Sequence, residues 1–175
     1  PQLFDFIERN ALTFGRWYWQ APYLPQCGAM YTTPHANRLA ALPDREQHTA
    51  MELWRGTMTC HSVVAWRSEA TNGGVCFDGD RWLHYVPLRR PWTELIEERL
   101  PPDAAGLLLN RSHPYHDLVL VLDAEDKRLF DQIDGHRSIK QITGHSGATG
   151  FGRARTFFER LWWYDQVVFD ASKAL

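Results

Sequence analysis

The chain has 175 residues, 44% of them hydrophobic and 23% charged, with a formal net charge of −2. That balance fits a globular chain with room for one large domain or two small ones, and it gives no electrostatic pull toward nucleic acid. No apolar run approaches the ~20 residues that span a bilayer, and three scattered cysteines without a C-x-x-C pair form neither a zinc knuckle nor a disulfide framework.

Residues 2–12 place Leu3, Phe6 and Ile7 on one face and Asp5, Glu8 and Arg9 on the other, an amphipathic helix. Because Pro1 already adjoins this pattern, the chain reads as part of a longer protein. Residues 13–19, TFGRWYW, are β-formers and predict a strand. Pro22 and Pro25 end it. A short helix is expected from Pro34 to Leu42. A second starts at Pro43-Asp44, a proline-led start with acidic residues in its first turn, and runs to Arg55, where Gly56 ends it.

From Met58 the apolar period changes. CHSVVAWR (60–67) reads as a strand, and Thr71 to Gly74 as a turn. VCFD (75–78) and RWLHYVPL (81–88), joined by Gly79-Asp80, predict a second hairpin-like pair. Alternation at Trp92, Glu94 and Ile96 favours a strand. GLLLN (106–110) and DLVLVLD (117–123) are short buried strands separated by the polar loop NRSHPYH.

The last fifty residues have their own organisation. One helix is expected from Asp126 to Ile133, a turn at Asp134-Gly135, and a second helix from Ser138 to Thr143. GHSGATGFG (144–152) reads as a linker. RARTFFERLWWYDQ (153–166) is a third helix with an apolar stripe at Phe157, Phe158, Leu161 and Trp162, and Val167–Phe169 is a strand. Three helices and a strand form a winged-helix pattern. The expected architecture is α+β: a mixed helix and strand accessory region over 1–123, then a winged-helix tail over 124–175.

Catalytic signatures are sparse. His113 and His116 lie three apart, but Pro114 makes their segment a loop, and no glutamate joins them as in a helical zinc motif. Cys60 and His61 are neighbours on a predicted strand and point to opposite faces, which separates a nucleophile from its base. GATGFG follows no buried strand, so it does not make a phosphate cradle. From Glu125 onward eight Lys/Arg face seven Asp/Glu, too balanced for a DNA reader.

PQLFDFIERNALTFGRW resembles the stretch just beyond the catalytic sheet in a group of prokaryotic class I S-adenosylmethionine-dependent methyltransferases. Pro1, Gln2 and Leu3 match the end of a T-V-x-Q-L motif, and Leu12, Phe14 and Trp17 match an aromatic strand, with Ala11 where glycine is usual. LWRGTMTCHS (53–62) is similar to an F-R-x-T-L-L-x-H segment of their regulatory region, through Arg55, Thr57 and His61. LFDQIDGHRSI resembles their winged-helix end. Residues 65–120 carry no such likeness.

The resemblance implies a non-catalytic C-terminal region of a cytoplasmic bacterial methyltransferase. Its partners would be the upstream methyltransferase domain and a methyl acceptor, protein or small molecule, with neither nucleic acid nor membrane. S-adenosylmethionine would bind the upstream domain, leaving no cofactor, metal or catalytic residue in this chain. Tyr23, Arg55, His61 and His113 are the candidate acceptor contacts. For Arg55 the competing reading is a cation placed at a helix C-terminus by the helix dipole. Two other classes remain open: a peptide- or protein-docking winged helix, which needs an open edge at Val167–Phe169, and a DNA-binding regulator, which needs a basic face and dimer symmetry.

Overall fold

A computed structural model describes residues 2–67, 74–144 and 148–172. The chain mixes helices with small antiparallel sheets and divides into two compact units, 1–74 and 75–175.

Unit 1 contains α1 (Gln2–Arg9), β1 (Leu12–Trp17), α2 (Ala36–Ala40), α3 (Asp44–Arg55) and β2 (Val63–Arg67), with 3-10 turns at Ala21–Tyr23 and Gly28–Thr32. The expected helix breaks appear where local chemistry demands them. Pro22 starts the first 3-10 turn instead of continuing β1. Gly56 ends α3 at φ +64, a left-handed conformation that favours glycine, and its N–H donates to Glu52. β1 and β2 pair antiparallel from Leu12–Arg67 to Trp17–Val63, with an irregularity between Phe14 and Arg16. Their inner side meets α1: Phe4, Trp17 and Tyr23 form a buried cluster lined by Leu3, Phe14, Met58 and Val63. Phe6, expected on the apolar face of α1, is 60% exposed, while Phe4 and Ile7 are buried. Arg45 of α3 ties the polar side of α1 to that core by pairing with Asp5 and Glu8.

Unit 2 contains β3 (Val86–Arg89), β4 (Thr93–Ile96), β5 (Gly106–Asn110), β6 (Val119–Leu122), α4 (Ala124–Asp131), α5 (Ile139–Thr143), α6 (Ala148–Trp163) and β7 (Val167–Asp170). β4, β5 and β6 form a meander, while β3 pairs with β7. Helix starts follow standard capping chemistry. Asp123 accepts from the N–H groups of Glu125 and Asp126. Ser138 and Gln141 form a reciprocal capping box that opens α5. Between these helices Gly135 adopts φ +79, as a tight turn requires. The Asp134 carboxylate accepts from the backbone of Arg137 and His136 and from the Arg137 side chain, which together hold its pKa far below the ordinary carboxylate value. Ile133, Ile139 and Ile142 are buried, as are Phe157, Phe158 and Leu161 of α6; Trp162 is half-buried.

Two expectations fail for identifiable reasons. The hairpin expected over 75–88 does not form. Tyr85 Oη bonds both the N–H and the carbonyl of Cys76, and the Trp82 indole donates to the Gly79 carbonyl. Backbone groups that a hairpin would pair are thereby engaged, Arg81–His84 coils into a 3-10 turn, and Val86–Arg89 pairs with β7. Residues 148–152, expected in a linker, belong to α6. The buried stripe of Ala154, Phe157, Phe158 and Leu161 supplies packing that outweighs the low helix propensity of the glycines. The compact units divide at 74/75, and the boundary expected near Asp123 lies within the second unit. Arg89 donates to the Phe130 carbonyl (2.6 Å), Asn110 to the Asp165 carbonyl (2.7 Å) and Thr93 to the Gln166 carbonyl (2.8 Å), so three hydrogen bonds span the expected boundary. The expected turn residues 71–73 and linker residues 145–147 lie outside the described residues.

Ile139 is fully buried, and its N–H donates to the Tyr85 carbonyl at 2.9 Å. Ile139→Ala is expected to destabilise unit 2 by ~2–5 kcal/mol, the usual range for truncating a buried aliphatic side chain. Hydrogen exchange should show lost protection across 75–170, including β5, with unit 1 unchanged. Loss confined to 124–170 would mean that the tail unfolds by itself, contrary to this division.

Candidate functional site

Tyr23 is distant in sequence from Arg55 and His61, yet the three come together in unit 1. Tyr23 leaves its 3-10 turn with its ring stacked on Trp17, centroids 3.8 Å apart and planes within 4°. The stack buries the ring and aims the hydroxyl at the segment leading into β2. There Tyr23 Oη and His61 Nδ1 lie 2.6 Å apart. His61 Nε2 lies 3.6 Å from Glu52 Oε1 of α3. That separation exceeds hydrogen-bond length but suits an ion pair when the imidazole is protonated. With the ring proton on Nε2, the tyrosine hydroxyl donates to Nδ1 and the imidazole N–H faces the carboxylate. The His61 and Glu52 side chains keep 25% and 29% exposure, so the row is reachable from solvent.

Arg55 closes the group. Its Nε donates to the Pro22 carbonyl at 2.8 Å, next to Tyr23, and its guanidinium lies 5.3 Å from the Trp54 ring centroid. The helix-terminus role weighed for Arg55 also fits, since it is the last residue of α3. The arginine clamps the turn that carries Tyr23. Tyr23, His61 and Glu52 form a phenol–imidazole–carboxylate row that could hold a hydroxyl- or amine-bearing molecule and pass a proton along it.

His113 belongs to unit 2. It lies in the loop after β5, half-buried, with its ring 5.7 Å from that of Tyr115. The two line a cavity of about 500 Å³ whose floor includes Leu107, Leu109 and Val119. The four expected contacts therefore fall into two groups, one of three residues and one of a single residue.

Two residues of the unit 1 group escape sequence reading. Glu52 looks like any solvated helix carboxylate. His48, in the same helix, is buried among Phe4, Phe14, Trp17 and Tyr23, with ring centroids 5.5–6.2 Å away. Its Nδ1 has no hydrogen-bond partner among the described residues. Burial holds its pKa below the ordinary 6.5, against a smaller raising effect of Asp44 one turn earlier. The available signal is the spacing of Gln47-His48 about one turn before Met51 on the inward side of α3, and a polar pair there is easily assigned to solvent.

Every strand pair is antiparallel, so among the described residues there is no parallel crossover with a ligand crevice at its switch point. No group of three or more His, Cys, Asp or Glu suited to a metal occurs among them. No helix among them is long and apolar enough to cross a membrane.

The neutral state favoured for His48 makes unit 1 acid-sensitive. The unfolded chain takes up a proton below about pH 6.5 that folded His48 resists, so this contribution is complete above that pH and falls as pH drops below it. Thermal melts from pH 7.5 to 5 should show a decline for the native chain and a flatter profile for His48→Phe. Equal slopes would remove His48 as the cause.

No protein-family model matches the chain, and no curated protein matches it.

Proposed function

We propose that this chain is the C-terminal accessory region of a bacterial, cytoplasmic S-adenosylmethionine-dependent methyltransferase, and that its unit 1 binds or orients the methyl acceptor. The observation that carries the reading is the convergence of Tyr23, Arg55 and His61. Arg55 and His61 come from the segment that resembles the regulatory region of those enzymes, and they meet Tyr23 beside Glu52. The methyl donor would be held by an upstream domain. Tyr23 and His61 would hydrogen-bond the acceptor, Glu52 would set the imidazole tautomer, and Arg55 would keep the Pro22 turn in place. Three free cysteines, two of them exposed, accord with a reducing cytosol.

The order of α4, α5, α6 and β7 supports a winged helix in the second half. A second reading has one observation in its favour: β7 pairs with β3 along one edge, and among the described residues no strand pairs with the other. A docking module could accept an extended peptide there.

Photocrosslinking of labelled S-adenosylmethionine to the intact gene product tests the main reading. Label is expected upstream of this region. His61→Gln and Tyr23→Phe should each lower acceptor turnover by ~10–100-fold, the scale of losing a positioned polar contact or general base, while donor affinity stays unchanged. Absence of any crosslink to the intact protein would end the methyltransferase reading. Unchanged turnover in both variants would remove the acceptor site from unit 1.

A further inference from the structure

A groove between α2 and α3 has no part in the Tyr23–His61 row. α2 and α3 are joined by the short turn 41–43, so they leave a cleft that Met30, Leu39, Leu42 and Ala50 floor with apolar side chains. Its volume is about 400 Å³, within the range of small-molecule sites. Trp54 forms one wall and remains 44% exposed, which is unusual for so large an apolar ring. At about 100° per residue, Ala50 and Trp54 lie about 40° apart around α3, while Glu52 lies about 200° from Ala50. The helix thus presents one side to the groove and another to the polar row.

The charge at this groove is one-sided. Arg38 and His35 stand on its lining, and no acidic side chain does. Arg38 is exposed and makes no hydrogen bond or ion pair among the described residues. A guanidinium with its donors available beside an indole face and an aliphatic floor is a pattern for an aromatic ring that bears a carboxylate. Such a ring would stack on Trp54 above the apolar floor, while its carboxylate would take two parallel N–H donors from Arg38.

We propose that the α2–α3 groove of unit 1 binds a small planar aromatic carboxylate, with Trp54 as the stacking wall and Arg38 as the anion clamp. The proposal does not depend on methyl transfer. A small molecule is favoured over a protein surface because the apolar lining forms a cleft with a single cationic side chain, Arg38, on it. Tyr31 and Leu53, 65% and 77% exposed, make a second copy of the chain the main competing occupant.

Titration of the isotopically labelled chain with 2-naphthoate, followed by amide and indole chemical shifts, tests this. Shifts should concentrate at residues 30–42 and 50–54 and saturate with a Kd below about 1 mM, as the size of the probe allows. The neutral analogue 2-naphthalenemethanol should bind about tenfold more weakly, the loss of one charge-assisted contact. Arg38→Gln should weaken naphthoate by about the same factor and leave the alcohol unchanged. Because Arg38 is exposed and makes no bond, that variant retains the fold. Ala50→Leu, confirmed as folded by its spectrum, should weaken both ligands by filling the floor. Shifts elsewhere, equal affinity for acid and alcohol, indifference to Arg38→Gln or unweakened binding in Ala50→Leu would each overturn the proposal. Shifts at the same residues on concentrating the protein without ligand would assign the groove to contact between copies, and would overturn it too.

Discussion

Antiparallel pairing between strands distant in sequence closes both halves of this chain. In unit 1, residues 12–17 meet 63–67; in unit 2, residues 86–89 meet 167–170. Neither pair is a tight hairpin, so local turn chemistry cannot set its register. The packed aromatics behind the strands supply that constraint. Trp17 at one end of β1 is buried against Phe4 and Tyr23. Phe169 in β7 touches Phe77, Tyr85, Phe158 and Trp162, with ring centroids 5.6–6.5 Å apart. Sliding either strand by one residue would turn these rings to the opposite face.

The polar row of unit 1 depends on that closure. Tyr23 reaches His61 because its ring is fixed on Trp17, and Trp17 is fixed by pairing with Val63, two residues beyond His61. The strand pair therefore brings the imidazole toward the phenol. Stacking then determines which way the hydroxyl points. A phenol held by a buried stack loses little further freedom on meeting a ligand, which is the physical advantage of building a contact residue on a core ring.

Much of this architecture was legible because it is local. Proline before α3, glycine after it, Asp123 and Ser138 as caps, and Gly135 between two helices all act within a few residues of themselves. The misreadings are long-range. RWLHYVPL alternates like a strand, but Tyr85 spends its hydroxyl on the Cys76 backbone, a contact invisible to periodicity. The expected boundary at Asp123 coincides with a helix cap, and Asn110 and Thr93 reach across it to the segment between α6 and β7. At the candidate site, Tyr23, Arg55 and His61 could be named from sequence, whereas their meeting could not. Glu52 and His48 were missed because a carboxylate and an imidazole on an amphipathic helix look solvated until the neighbouring strands are in place.

Helix α3 shows why such residues resist sequence reading. Arg45 holds α1 through Asp5 and Glu8, Gln47 and His48 face the core with Met51, Glu52 approaches His61, and Arg55 clamps the Pro22 turn. Ala50 and Trp54 line the groove against α2. A helix with one buried stripe would need only a single apolar face. This one is surrounded by partners of different polarity, so polar residues recur on nearly every side and the amphipathic signal is diluted.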